Sequence, residues 1–276
     1  MLAEAQALDL NDIDARALVR PLAGYRDPNP TRSVLEILVT AIPLLLAWTL
    51  MWVALQTQTY WLYLALIVPA AGLLVRLFMI QHDCGHGAFF RTRRVNDWVG
   101  RVISVLTLTP YDYWRRTHAA HHAGSGNLDR RGMGDITTLT VREYRALSRW
   151  NRLRYRIYRS PLVLFGVGPA YLFFVQNRIP AGLLRAGSQP WISAMGTNAG
   201  IALLAAAAIW TVGLNAFLLL YVPVTMLAAS IGVWLFYVQH QFEDVYWESS
   251  GEWSYADAAL QGSSYFKLPK VLQFFT

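Results

Sequence analysis

Several things are scarce in this sequence, and each scarcity excludes something. Cysteine occurs once, at Cys84, so no internal disulfide can form and a disulfide-stapled secreted scaffold is excluded. Charged residues make up only 15% of the 276 positions. A soluble domain usually carries about 25%, and the mean hydropathy of +0.29 points the same way. Lysine is nearly missing: among 24 basic residues only Lys267 and Lys270 are lysine, the rest being arginine. The segment before the first apolar run carries Glu4, Asp9, Asp12 and Asp14. It lacks the basic start and short apolar core of a secretory signal, so insertion is expected to rely on internal spans. The net charge of +7 fits nucleic acid or an anionic membrane surface, and the long apolar runs select the membrane.

Four of these runs are long enough to cross a hydrocarbon core of ~30 Å at 1.5 Å per residue. They cover residues 33–55, 60–80, 191–213 and 216–238. Gln56, Thr57, Gln58 and Thr59 predict one tight hairpin, and a Leu214-Asn215 turn predicts the other. Arg76, near the end of the second run, is expected to snorkel to the interface. Residues 1–32 read as a cytosolic arm ending in the turn Pro28-Asn29-Pro30, and residues 33–276 as one membrane domain. Residues 98–110 are apolar but too short to span, which predicts an interfacial helix. Seven arginines between 142 and 159 beside Trp150, Tyr155 and Tyr158 predict a basic, partly amphipathic segment. It suits lipid headgroups or an acidic electron donor. The fold class expected is therefore an all-α integral membrane protein, with four transmembrane helices in two hairpins, interfacial helices and a histidine-rich cap.

Five of the six histidines fall within residues 82–122. His82 and His86 stand in HDCGH, and His118, His121 and His122 in HAAHH. His240 follows the last apolar run. On a helix the i, i+4 spacing puts His82 and His86 on one face. His118 and His121 share a face if helical, with His122 about a third of a turn away. Neutral imidazole ligates iron, zinc, copper or nickel. Five or six imidazoles exceed the needs of one tetrahedral zinc and suit a two-metal site. Asp83, Asn127, Asp129, Asp135 and Gln239 are candidates to accept imidazole N–H groups. Cys84 is expected to pack away from the histidines.

Topology follows from bringing His240 to His82. An even number of crossings must separate them, so residues 161–176 are placed at the interface and not across. Arg91, Arg93 and Arg94 beside the first cluster put that end, and both termini, in the cytosol by the positive-inside rule.

HDCGHGAFF after a second span, and HAAHH followed by SGNLDRRGMGDI, closely resemble the membrane fatty acid desaturases, nearest the bacterial members like the delta-12 and omega-6 enzymes. VQHQFEDVYW and GSSYFKLPKVLQFF resemble the same group, so the likeness runs from about residue 30 to the end. It implies a non-haem di-iron centre with His82, His86, His118, His121, His122 and His240 as ligands. It also implies dioxygen as co-substrate, an acyl lipid as substrate and an electron donor such as ferredoxin or a cytochrome b5-like protein. Tyr111, Tyr113 and Trp114 become candidates to line an acyl tunnel. The family's third box, HxxHH, does not occur in residues 1–276; the resemblance places it, and the rest of the cap, a few residues beyond Thr276. Two other readings stand beside desaturation: a hydroxylase or ketolase of the same di-iron superfamily, and an inactive, truncated metal-binding remnant.

Overall fold

The computed structural model describes residues 27–132, 134–265 and 267–276. The arm expected over residues 1–32 lies outside the described residues up to Arg26. Its last three positions belong to the first helix, α1 (Pro30–Gln56). The Asn29 side chain accepts hydrogen bonds from the backbone N–H groups of Thr31 and Arg32, and Pro30 takes the first helical position. An asparagine cap followed by proline is a strong helix start, so the Pro-rich turn is itself the cap.

Among the described residues the chain is helical, with one isolated bridge between Asn127 and Glu248 and no strand. Helix α2 (Tyr60–His86) follows α1 after a turn at Thr57–Thr59. Its 27 residues span about 40 Å, beyond the ~30 Å of hydrocarbon. The last turns carry His82 and His86. The run predicted to end at residue 80 continues six residues further, until Gly87 closes it in the left-handed region at φ 73°.

Helices α3 (Arg93–Leu106) and α4 (Tyr111–Gly124) come next, then the short α5 (Val141–Ala146) and the arginine-rich α6 (Arg149–Tyr158). Residues 163–167 make a π-helical turn that leads into α7 (Gly168–Phe174). The second hairpin is α8 (Ser188–Val212) and α9 (Leu214–His240). Its break is Gly213 alone, at φ 83°, so the Leu214-Asn215 pair expected as the turn opens α9 instead. Glycine there reaches a conformation that a side chain disfavours. Short helices α10 (Tyr255–Gln261) and α11 (Lys270–Gln273) complete the chain.

Among the described residues four helices, α1, α2, α8 and α9, are long and apolar enough to cross a membrane. The segments at Arg149–Tyr158 and Val163–Arg178 bend by 56° against each other. His86 at the end of α2 meets His118 of α4, and His240 at the end of α9 meets His121 of the same helix, so α4 joins these two helix ends.

Helix α2 is the hub, packed against α1, α3 and α9. Ala70 and Ala71 are fully buried, as are Met51 of α1 and Val224 of α9. Such small residues let helix backbones approach where lipid removes the hydrophobic drive for association. The Arg76 guanidinium pairs with Glu36 of α1, bonds Thr40 Oγ1 at 3.0 Å and donates to the Phe274 carbonyl, so protein groups satisfy this cation on an apolar helix.

Candidate metal centre

The site is assembled from the end of α2, from α4 and from the end of α9. Helix α4 is set by Tyr111, which is completely buried. Its hydroxyl shares its one proton between the Cys84 carbonyl at 2.8 Å and Asp97 Oδ1 at 3.0 Å. Asp97 also pairs with Arg93 at 3.0 Å and Arg115 at 2.9 Å. Gly100 of α3 leaves the notch for the ring, because a methyl there would lie 2.2 Å from it. The backbone between His82 and His86 is thus tied to the first turn of the helix bearing His118.

Two imidazole groups result. His86 Nε2 lies 3.2 Å from His82 Nε2 and 3.1 Å from His118 Nε2, while His122 Nε2 lies 3.1 Å from His118 Nε2. The four ligand atoms all fall within 4.8 Å of one another. Imidazole nitrogens about 2.0–2.1 Å from one ion, at ordinary angles, stand roughly 3 Å apart. These four fit a metal ion. On the other side His121 Nε2 faces His240 Nε2 at 3.3 Å. The pairing within α4 differs from the expected His118–His121 face. At about 100° per residue, positions four apart diverge by only ~40°, so His118 joins His122 while His121 turns to α9.

Electrostatics favour neutral, lone-pair-bearing rings. Burial first, then the neighbouring imidazoles, pushes His118 down to about 2; the same causes push His122 down to about 4. The far nitrogens are held in turn. Asp135 accepts from His121 Nδ1, the Gly262 carbonyl faces His240 Nδ1 at 3.0 Å, and Asp83 Oδ1 stands 3.2 Å from His82 Nδ1. A proton on Nδ1 fixes the tautomer that presents Nε2 to a metal.

The other candidates go elsewhere. Asn127 is buried but accepts from Ser250 Oγ at 3.2 Å, and Asp129 Oδ2 accepts from the Ser250 N–H at 2.8 Å. Both pin a loop to residues 248–250. The Gln239 side chain is exposed; its neighbour Gln241 accepts from Arg159 at 3.0 Å. Tyr113 donates to the Ala181 carbonyl at 2.8 Å. Of the three aromatic candidates only Trp114 reaches the histidines, stacking on His118 at 4.6 Å and meeting Phe78 edge-on at 5.5 Å. Cys84 is fully buried, as expected. Asp97 and the Gly262 carbonyl were not singled out in the sequence. Arg93 four residues before Asp97 is a readable helical pair, but nothing local ties Gly262 to His240.

A family model described as fatty acid desaturase matches residues 58–276, which include all six histidines. The chain belongs to the fatty acid desaturase family. A fatty acid desaturase of Bacillus subtilis (strain 168) is 45% identical over 261 residues, covering 95% of this chain and 73% of the relative. An endoplasmic reticulum omega-3 fatty acid desaturase of Vigna radiata is 35% identical over 122 residues, 44% of this chain and 30% of its own. An sn-1 acyl-lipid omega-3 desaturase (ferredoxin) of Synechocystis is 37% identical over 99 residues, 35% of this chain and 25% of its own. This desaturase therefore carries its histidine clusters at one end of four membrane-crossing helices.

Proposed function

We propose that the chain introduces a double bond into the acyl chain of a membrane lipid, using dioxygen and a pair of iron ions. The observation that supports this most is the division of the six imidazoles into a group of four and a facing pair. His82, His86, His118 and His122 hold one iron in this reading. His121 and His240 serve the second, oriented by Asp135 and the Gly262 carbonyl. When bound, the reduced iron pair supplies the oxygen activation needed to attack an unactivated C–H bond. In balance, two adjacent methylenes lose two hydrogens, and dioxygen takes these, two further electrons and two protons to give two waters. Trp114 offers an apolar wall beside His118 for the acyl chain.

The electron donor proposed is a ferredoxin or a cytochrome b5-like protein, in keeping with the ferredoxin named for the Synechocystis relative. The location proposed is a bacterial inner membrane with the histidines on the cytosolic side, supported by Arg91, Arg93 and Arg94 at that end. Residues 33–276 form a single membrane domain in this reading.

Expression from the natural reading frame, in a host whose lipids are simple, tests the proposal. Gas chromatography should show a new unsaturated fatty acid that disappears in His118→Ala. A hydroxy or keto fatty acid in its place would assign the chain to the oxygen-retaining members of the superfamily.

A further inference from the structure

Helix α6 is the most basic element of the chain and has no part in the histidine site. Arg149, Arg154 and Arg156 are exposed. With Arg142, Arg145, Arg152 and Arg159, they form no ion pair among the described residues, whereas Arg76, Arg93, Arg101, Arg115 and Arg131 all do. Arg152 and Arg156 have only neutral partners, the Leu147 carbonyl and the Tyr144 hydroxyl. A run of unpaired cations on a helix is most often a solvated face. Here it lies beside something that water does not favour.

At about 100° per residue, Trp150, Leu153 and Ile157 fall within a sector of roughly 60°, and all three are exposed, Trp150 at 76%. Arg149, Arg152, Arg156 and Arg159 fill the adjoining sector, and Arg154 flanks the other side. Tyr155 and Tyr158 turn inward, their hydroxyls accepting from the Leu139 and Thr137 N–H groups. Exposed apolar residues recur past the 56° bend, at Leu162, Val167 and Tyr171, on the segment that packs against α9. Arg159 anchors the junction by donating to Gln241 and lying over the Tyr237 ring at the end of α9. The apolar side of α6 is thus joined, through a segment with exposed apolar residues of its own, to the histidine end of the apolar helix α9.

We propose that α6 docks on anionic phospholipids. Trp150, Leu153 and Ile157 sit at the boundary between headgroups and acyl chains, and Arg149, Arg154 and Arg156 bind phosphate-bearing anionic headgroups of the same leaflet. An apolar stripe flanked by arginines is the pattern of a helix lying in a membrane interface. An acidic carrier protein would match the arginines, but not the exposed apolar residues of α6 and of the segment that follows it. The inference does not rest on the reaction proposed above.

The test uses the full chain in nanodiscs of phosphatidylcholine containing a minority of phosphatidylglycerol. Native mass spectrometry reads the ratio of the two lipids retained. The wild type should enrich phosphatidylglycerol. Arg149→Gln/Arg154→Gln/Arg156→Gln should lower that enrichment by about tenfold or more, since three basic residues near an anionic surface are lost at once. The corresponding triple lysine variant should keep it. Brominated phosphatidylglycerol should quench a component of wild-type tryptophan fluorescence that Trp150→Phe removes, a reading that stands even if the glutamine variant fails to fold. Equal retention in wild type and glutamine variant, or quenching unchanged in Trp150→Phe, overturns the proposal. So does loss of binding to a ferredoxin in the glutamine variant with lipid enrichment intact, which would assign the arginines to the carrier.

Discussion

His121 and His240 are 119 positions apart in the chain, yet their Nε2 atoms face each other at 3.3 Å. Each ring is held from behind, His121 by the Asp135 carboxylate and His240 by the Gly262 carbonyl. Removing the carboxylate while leaving the imidazole isolates this support. Asp135→Asn is expected to weaken metal binding about 10- to 100-fold, measured as iron per protein after dialysis against graded chelator. Asp129→Asn, whose carboxylate serves Ser250, should retain wild-type iron content.

Gly100 and Tyr111 set the angle between α3 and α4. Gly100→Ala pushes a methyl into the Tyr111 ring and should cost about 1–3 kcal/mol as overpacking, read as a lowered midpoint of unfolding in detergent. Tyr111→Phe leaves the Cys84 carbonyl and Asp97 without the hydroxyl. It should cost about 1–2 kcal/mol with iron content reduced less than in Asp135→Asn.

Arg76 pairs with Glu36 between α1 and α2. Arg76→Leu leaves Glu36 on an apolar helix with only the exposed Arg32, 3.6 Å away, which should cost up to about 3 kcal/mol, the scale for a poorly paired charge in a span. Glu36→Leu/Arg76→Leu should recover most of that loss in the same unfolding assay. No recovery in the double variant would show that Arg76 acts chiefly through Thr40 and the Phe274 carbonyl.

Arg131 hydrogen-bonding first, and the Thr140 backbone next, hold the Glu143 carboxyl down to about 2, from an ordinary value near 4.3. A depressed carboxyl contributes stability above its unfolded value and loses it as pH falls through the folded one. Wild type should thus exceed Glu143→Gln in stability at pH 6, and the difference should vanish toward pH 2. The side chain is 41% exposed, so the difference should be about 1 kcal/mol or less. Acid unfolding followed by circular dichroism checks it.

The four long apolar helices and their pairing into two hairpins were legible in the chain. Runs of more than twenty apolar residues admit few other structures in a bilayer. The helix ends were less legible. Polar residues such as Gln81 and His82 hide the continuation of α2 from hydropathy, although the backbone has no reason to stop before Gly87. The partition of HAAHH was missed for a related reason. Spacing says which residues share a face, but not which face meets which neighbour.

By itself, then, the sequence determined a membrane protein with two histidine clusters and a further histidine after the last apolar run. These are local properties, carried by hydropathy, spacing and residue type. Only the tertiary structure decided that His118 groups with His82, His86 and His122 while His121 turns to His240. Only it separated Asp135, which faces an imidazole, from Asn127 and Asp129, which serve Ser250. Those choices depend on how α3, α4 and α9 cross α2, and the crossing is set by packing between residues far apart in the chain, such as the Tyr111 ring in the Gly100 notch.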